Sequence, residues 1–374
     1  MLKKVLKKCI VIINNKIITA HVGGRAGSIG FPDNSYFEHE IEKIIFEADE
    51  DCLDQIKDVH PNSKTLNFFI GKNNENVTFN INYCPYTSSA YKLNSKYENF
   101  YHKGAKNTDY VFKHVMKPQK KINLVSRSLD SLHNEGLIEA PNFLSIDTQG
   151  SEYDVLLSAE KIIKNNILAI NCEINFSELY LNSKLFNEIH LLLTKKDFLL
   201  VNIETFNIGY HRIPNKFRGK GIPLQGEVLY LKDPNKITND LSKKSNLLKL
   251  AFIAISFGYT EFSYKILDEN FSKETDFNLD YEKFLFNFYQ NIKDFKIMPK
   301  LWNDEFTFED SLKRFNNQTN GNIKKINIFI KIFNKIKFYI NKIKREDYSF
   351  VNFLKRNGFL LAAKEVEGRI RGKL

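Results

Sequence analysis

The chain has 374 residues, of which 43% are hydrophobic and 13% aromatic, and its formal net charge is +11. This composition excludes an intrinsically disordered chain and is sufficient for a full α/β domain with an addition. The positive charge is compatible with nucleic acid, a membrane surface or an anionic substrate as a partner. It is equally compatible with a mildly basic enzyme that binds none of these.

The N-terminal segment, residues 1–15, is basic and then apolar. Its uninterrupted apolar run, Cys9–Ile13, is too short for a signal peptide. No other segment approaches the roughly 20 apolar residues that a membrane span needs. The four cysteines show no C-x-x-C pair and no regular spacing, as is typical of a reducing compartment; they are Cys9, Cys52, Cys84 and Cys172. We therefore predict a cytoplasmic protein.

Short apolar runs alternate with helical stretches over the first two thirds of the chain, the pattern of a parallel sheet covered on both faces. The predicted strands are Ile17–Val22, Ile44–Glu47, Leu66–Ile70, Phe143–Asp147, Leu168–Ile174, Phe198–Ile203 and Glu227–Leu231. After the third of them, Asn76–Tyr83 alternates between polar and apolar residues, which predicts an added hairpin strand.

Two further segments complete the predicted organisation. Residues 85–121 lack a clear period, and an insertion of this length is either a lid or substrate loop or a solvated surface excursion. After Pro234 the strand pattern stops, and Leu247–Leu267 has helical spacing. We therefore predict an α/β domain over residues 16–233 and a mainly helical C-terminal region over residues 234–374.

The first strand ends in the glycine-rich turn His21-Val-Gly-Gly-Arg-Ala-Gly27. Glycines at this position permit a tight turn and a close approach of backbone to a ligand. Arg25 stands where G-x-G-x-x-G would have its second glycine, which argues against a nicotinamide cofactor and for an adenosyl sulfonium. The candidate cofactor-binding residues of the turn are His21, Gly23, Gly24, Arg25 and Gly27.

Glu47 stands at the tip of the second predicted strand, in the sequence Glu47-Ala-Asp49. An acidic residue at this position accepts hydrogen bonds from the two hydroxyls of a ribose in dinucleotide-binding folds. The other interpretation is a surface carboxylate near a helix start. The glycine turn one crossover upstream favours the ribose role.

Two blocks downstream carry a family resemblance. Asn142-Phe-Leu-Ser-Ile-Asp-Thr-Gln-Gly-Ser-Glu152 contains a strand that ends in an Asp and a Gln-Gly-x-Glu turn, and Glu173-Ile-Asn-Phe-Ser-Glu-Leu-Tyr180 follows the next strand. Together they resemble the FkbM family of S-adenosylmethionine-dependent methyltransferases. Three weaker similarities are Tyr86–Tyr91, Val125–Leu132 and Phe186–Phe198. The resemblance covers residues 17–233.

The resemblance implies a class I methyltransferase fold, with a seven-stranded sheet whose last strand is antiparallel. It implies S-adenosylmethionine as cofactor and O-methylation of a sugar, a glycan or a secondary metabolite. One residue departs from the family pattern, because His21 stands where members usually carry an acid that holds the cofactor's amino-acid end. His21 and Arg25 either support the cofactor's carboxylate or leave the site weakened.

Asp147 and Glu173 are the candidate catalytic residues, since both end neighbouring strands at the edge where open α/β sheets bind ligands. Asp147 is interpreted as a general base, a group that orients ligand, or a carboxylate that caps the next turn. The pair could share a proton, hold acceptor hydroxyls or coordinate a divalent ion. Gln149 and Gly150 are predicted to shape the turn that faces the cofactor. Tyr180 is predicted to pack against the sheet edge, with contact to the acceptor as the alternative.

Neither a metal nor a nucleic acid is predicted as a partner. The eight histidines show no H-x-H or H-x-x-x-H pair, and no DNA- or RNA-reading motif is present. Ile323–Ile343 predicts an amphipathic helix with lysines around its polar face, which either packs on the protein body or rests on an anionic membrane. The alternative to an enzyme is a binding or scaffold protein on a methyltransferase fold.

Overall fold

A computed structural model describes most of the first 271 residues of the chain. The chain divides into two compact units, Met1–Lys296 and Ile297–Leu374, and all described residues belong to the first. The described ranges are 16–26, 29–32, 41–103, 109–206, 208–209, 220–238 and 242–271. Gly27, the N-terminal segment and the amphipathic helix predicted over residues 323–343 lie outside them.

Within these ranges the chain forms twelve strands and eight helices. The strands are β1 Ile17–Val22, β2 Ile41–Phe46, β3 Ser63–Leu66, β4 Asn76–Asn82, β5 Tyr101–Lys103, β6 Asp109–Val111, β7 Pro118–Val125, β8 Phe143–Ile146, β9 Ala169–Asn175, β10 Phe198–Thr205, β11 Ile208–Gly209 and β12 Gln225–Lys232. The helices are α1 Leu53–Val59, α2 Phe112–Val115, α3 Leu129–Asn134, α4 Glu152–Ser158, α5 Glu160–Asn165, α6 Phe186–Thr194, α7 Lys243–Ser256 and α8 Thr260–Phe271.

Seven of the strands form one twisted sheet in the order β3-β2-β1-β8-β9-β12-β10. β12 runs antiparallel to both of its neighbours, and the other pairs are parallel. This is the strand order of a class I methyltransferase with an antiparallel last strand, so the predicted fold is confirmed. The order reverses between β1 and β8, which makes the carboxyl ends of these two strands the expected ligand site.

The third strand lies earlier than predicted, at Ser63–Leu66 rather than Leu66–Ile70. As an edge strand it has only β2 as a neighbour, so its residues are half-buried and their polar character hid them from an apolar pattern. After Leu66 the chain leaves the sheet, because the Asn67 side chain donates to the carbonyl groups of Glu47 and Ala48, at 2.9 and 3.2 Å.

Residues 76–125 form two small sheets beside the main one. β4 confirms the strand predicted here, but it pairs antiparallel with the distant β7 and not within a hairpin. β5 pairs with β6 on one side and with the distant β11 on the other, and this three-stranded sheet was not predicted. Strands of two or three residues are too short to show a period of two.

The two faces of the main sheet pack against different helices. One face buries Ala20, Leu144 and Ile170 in a cluster with residues of α3–α6. The other face buries Phe143 and Leu231, among others, against α7 and α8. These two helices confirm the predicted helical spacing, and they follow the boundary predicted near residue 234. That boundary therefore falls inside one packed unit, because the sheet face needs both helices to exclude water. None of the helices within the described part of the chain is long and apolar enough to cross a membrane.

Candidate active site

The glycine turn after β1 lies against the end of β8. Gly23 has a φ of +101°, and a Cβ atom there would lie 1.9 Å from the Asp147 carbonyl oxygen. Its N–H donates to the Phe46 carbonyl at 3.0 Å. At Gly24 a Cβ would lie 2.4 Å from Cγ2 of Ile45. Both positions therefore require glycine, and the turn brings backbone close to the ends of β2 and β8.

Arg25 forms an ion pair with Asp49. Asp49 was not among the site residues predicted from the sequence. Both side chains are largely buried. The second oxygen of Asp49 accepts from the Asp51 N–H at 3.2 Å and caps the turn that begins at Glu50. The ion pair joins the turns after β1 and β2. The acidic character of Asp49, two residues after Glu47, was the signal in the sequence that could have predicted it.

Glu47 is buried at the tip of β2. Its Oε1 accepts from the Asp49 N–H at 2.8 Å, and burial raises the pKa of its carboxyl group. Glu47 lines a narrow groove. The groove begins at the glycine turn and passes an apolar wall of Phe68, Phe69, Ile70 and Phe79. Its other wall includes Tyr86, Asp147 and Gln149.

Gln149 ties together the two candidate catalytic carboxyl groups. Its Nε2 donates to Asp147 Oδ1 at 2.7 Å and to Glu173 Oε2 at 2.6 Å. Tyr180, which is fully buried, donates its hydroxyl to Gln149 Oε1 at 2.6 Å. The Tyr180 bond therefore orients the amide so that its two N–H groups point at the carboxyl groups. Gln225 was not predicted; its Nε2 donates to the other oxygen of Glu173 at 2.7 Å.

Glu173 lies on β9, beside the end of β8 that Asp147 follows, and both carboxyl groups accept from the Gln149 amide. Burial raises the pKa of Glu173 well above its ordinary value, and the charge of Asp147 and a hydrogen bond to it act in the same direction. Burial and the neighbouring negative charge therefore disfavour the charged form of Glu173.

Gly150 and Glu152 hold the turn on which Gln149 sits. Gln149 has a φ of +56° and Gly150 a φ of +115°, and a Cβ on Gly150 would lie 3.0 Å from the Tyr180 ring. Glu152 Oε1 accepts from the N–H groups of Thr148 and Gly150, both at 3.0 Å. Burial raises the pKa of Glu152 to about 7. Glu152 thus stabilises the turn from beneath and does not line the groove.

His21 faces away from the groove. Its pKa is lowered by burial, so the ring is neutral. Nε2 lies 3.0 Å from the Gly23 carbonyl and Nδ1 lies 3.0 Å from the Ser145 hydroxyl. Since a carbonyl only accepts, Nε2 carries the proton and the Ser145 hydroxyl donates to Nδ1. His21 therefore fixes the glycine turn from behind, and the groove-lining residues among the predicted set are Gly23, Arg25, Glu47, Asp147 and Gln149.

A larger chamber of about 580 Å³ adjoins the groove and shares Tyr86, Asp147 and Gln149 with it. The polar side of the chamber consists of His21, Ser145, Asp147, Gln149, Glu173, Gln225 and Glu227. The opposite side comes mainly from the insertion and consists of Cys84, Tyr86, Thr87, His102, Tyr110, Phe112, Val115, Met116 and Phe206. No three His, Cys, Asp or Glu side chains converge as a metal site within the described ranges.

Comparison with known families identifies the domain. Residues 19–200 match the model of the methyltransferase FkbM domain. The chain contains a methyltransferase FkbM domain. The matched range begins in β1 and ends in β10, so the FkbM domain includes every strand end that lines the groove. No curated protein matches the chain.

The solved structures that match this chain are distant from it in sequence. The methyltransferase FkbM of Methylobacillus flagellatus KT is 14% identical, with a TM-score of 0.31 over 58% of this chain and 43% of that one. A TehB-like SAM-dependent methyltransferase of Corynebacterium glutamicum is 8% identical, with a TM-score of 0.28 over 61% of this chain and 87% of that one.

Proposed function

We propose that the protein is an S-adenosylmethionine-dependent methyltransferase that methylates a hydroxyl group of a sugar, a glycan or a secondary metabolite. The observation that carries the proposal is the junction at Asp147 and Gln149, which line both the groove and the chamber. A cofactor in the groove and an acceptor in the chamber would meet at these two residues.

The residues of the groove fit the cofactor. Gly23 holds the turn against the Asp147 carbonyl, since a Cβ there would lie 1.9 Å from that oxygen, and so places the backbone of the turn at the end of the groove. Glu47 would accept hydrogen bonds from the ribose hydroxyls. Arg25, fixed by Asp49, would bind the carboxylate of the cofactor's amino-acid end. The apolar wall of Phe68, Phe69 and Phe79 would take the adenine.

The bound cofactor supplies a methyl group for in-line displacement, and the chain supplies position and a proton acceptor. Asp147 would take the proton of the acceptor hydroxyl as the oxygen becomes the nucleophile. Glu173, whose raised pKa disfavours its charged form, would leave Asp147 as the proton acceptor. Gln149 fixes both groups, so that the carboxylate is already oriented when the acceptor binds.

Titration calorimetry tests the proposal. We expect S-adenosylmethionine and S-adenosylhomocysteine to bind with micromolar affinity and NADH not to bind. Glu47→Gln should weaken both affinities at least about tenfold, because a charge-assisted bond contributes roughly 1.5–3 kcal/mol. The matched control is Glu50→Gln, which removes an exposed carboxylate three residues away. Absence of binding by the folded protein would overturn the proposal and favour a binding or scaffold protein on the same fold.

A further inference from the structure

A second cleft lies on the face of the sheet that also carries α7 and α8. It holds about 330 Å³ and adjoins the chamber, because Gly30 and Glu227 line both. Its polar side consists of Asn171, Asn202, Glu204 and Glu227, and its aromatic side of Phe31, Phe257 and Tyr259. Of these side chains only Glu227 also lines the chamber, and the others belong to neither the groove nor the chamber.

A β-bulge turns two polar side chains into this cleft. β10 pairs Leu200 with Tyr230 but Asn202 with Leu229, so one extra residue, Val201, interrupts the register. In a regular strand Asn202 would share the face of Leu200, which packs with the cluster under α6. The extra residue instead places Asn202 and Glu204 on the opposite face, beside Glu227. Bulges are over-represented next to active sites, where they redirect side chains.

The aromatic side of the cleft is built together with the bulge. The Tyr259 hydroxyl donates to the carbonyl of Val201, the bulged residue, at 2.9 Å. Phe257 packs edge-on against Phe31, with ring centroids 5.7 Å apart. The bond from Tyr259 satisfies a carbonyl beside the register shift and fixes the distance between the aromatic side and β10.

Two carboxylates face each other on the polar side of the cleft. Glu204 and Glu227 are directly opposite each other on β10 and β12, and like charges at opposed positions destabilise a sheet. Burial raises the pKa of Glu227, and the charges of Asp147 and Glu204 act in the same direction. Asn171 donates to Glu227 Oε1 at 2.5 Å. Among the described residues that line the cleft none is Lys or Arg, so these carboxylates are suited to a ligand that offers hydrogen-bond donors.

We propose that the cleft is a second acceptor subsite, which binds the sugar unit next to the one that is methylated. Carboxylate and amide groups on one side would accept from and donate to its hydroxyls, and the aromatic side would cover its apolar face. The acceptor is then a saccharide of two or more units rather than a monosaccharide. This inference rests on the proposed methyltransferase function, since the first unit occupies the chamber beside Asp147.

The test uses the full chain loaded with S-adenosylhomocysteine, titrated with matched mono-, di- and trisaccharides of glucose, mannose and N-acetylglucosamine. For at least one series we expect the disaccharide to bind about tenfold more tightly than its monosaccharide. The double variant Asn202→Ala/Glu204→Ala should lose that advantage and leave binding of the monosaccharide unchanged. Thr205→Ala, at an exposed position of the same strand on the opposite face, should behave like the parent protein.

Each contrary result is decisive. The subsite is overturned if the disaccharide binds no more tightly than the monosaccharide, or if its advantage survives in the double variant. It is also overturned if S-adenosylhomocysteine binds and no saccharide does, in which case the methyltransferase function stands with another acceptor. Failure of S-adenosylhomocysteine itself to bind would overturn the function and the subsite together.

Discussion

The groove and the chamber meet at Asp147 and Gln149, yet they are built in different ways. The groove is shaped by backbone, because Gly23 brings the turn after β1 against the Asp147 carbonyl and Glu47 follows β2 directly. The chamber is shaped by side chains that reach each other from distant parts of the sequence. Gln149 bonds to Tyr180 across 31 positions, and Glu173 bonds to Gln225 across 52.

Because the groove and the chamber are built differently, we expect substitutions to affect them in different ways. A backbone-shaped groove is sensitive to any added Cβ atom, and its loss affects folding and cofactor affinity together. In a network of side chains, a substitution can leave the remaining groups in place and still remove the hydrogen bonds that orient them. Variants at the junction, in the groove and in the network therefore test different properties. These are turnover, the free energy of unfolding and the orientation of the carboxyl groups.

The largest effect is expected at the junction. Asp147→Asn removes the proton acceptor but keeps Oδ1 as an acceptor for Gln149, so the affinity for S-adenosylmethionine should be unchanged. Turnover with an acceptor that the parent protein methylates should fall about 10²–10⁴-fold, the usual contribution of a general base. Transfer of a labelled methyl group measures it, with the exposed Asp58→Asn as control. Unchanged turnover would remove Asp147 from the mechanism.

Gly23→Ala tests whether the groove depends on backbone. The new Cβ would meet the Asp147 carbonyl oxygen at 1.9 Å, and φ at this position is +101°. Strain and overpacking each cost about 1–3 kcal/mol, so we expect a loss of roughly 3–4 kcal/mol in the free energy of unfolding. Gly136→Ala is the matched control, because it has a φ of +73° with no atom within 4 Å. It should cost only about 1–2 kcal/mol. Equal losses in urea unfolding would show that the close approach is not required.

Glu152 links the turn under Gln149 to pH. Its pKa is raised to about 7 in the folded protein, chiefly by burial. For an acid with a raised folded pKa the stabilisation is complete below its unfolded pKa, near 4.5, and is lost as the pH rises through 7. That loss amounts to about 3 kcal/mol. Urea unfolding at pH 5 and pH 8 should therefore show a smaller decline for Glu152→Gln than for the parent. A decline of the same size in both proteins would contradict the assignment.

Much of the fold was predictable because buried parallel strands read as apolar runs. β1 was predicted to the residue, and β8 and β9 within one residue at either end. The edge strand β3 was misplaced because its half-buried residues are polar, and the bulge at Val201 shifts pairing by one residue without any sign in composition.

The candidate site also contains residues whose positions could be predicted from the sequence and residues whose positions could not. Gly23, Glu47 and Asp147 were predictable because each directly follows a strand, and position in the chain then determines position in the sheet. Asp49 and Gln225 were not, because their partners Arg25 and Glu173 become neighbours only after the sheet has formed. The insertion residues of the chamber come from two three-residue strands, a single helical turn and a four-residue helix, all too short to show a period.

Tyr180→Phe is expected to have the smallest effect and is the sharpest test of the network. The variant keeps the ring that packs on Gly150 but removes the bond that orients the Gln149 amide. The amide N–H groups stabilise charged carboxylate, so their loss should raise the apparent pKa of the Asp147–Glu173 pair. We expect a fall in kcat of about tenfold, comparable to the loss of one hydrogen bond, with KM for S-adenosylmethionine unchanged. The acidic limb of the pH–rate profile should move to higher pH.

Tyr91→Phe is the control that distinguishes the orienting role of Tyr180 from the general effect of removing a hydrogen-bonded phenol. Tyr91 donates to Asp154 Oδ2 at 2.5 Å, so the variant removes the same type of bond outside the groove and the chamber. It should leave both kcat and the pH profile unchanged. If Tyr180→Phe lowers stability as Tyr91→Phe does and leaves the profile in place, the phenol is structural. A displaced profile in Tyr180→Phe alone would show that the side-chain network determines the protonation of the junction, whereas the backbone-shaped groove determines what binds there.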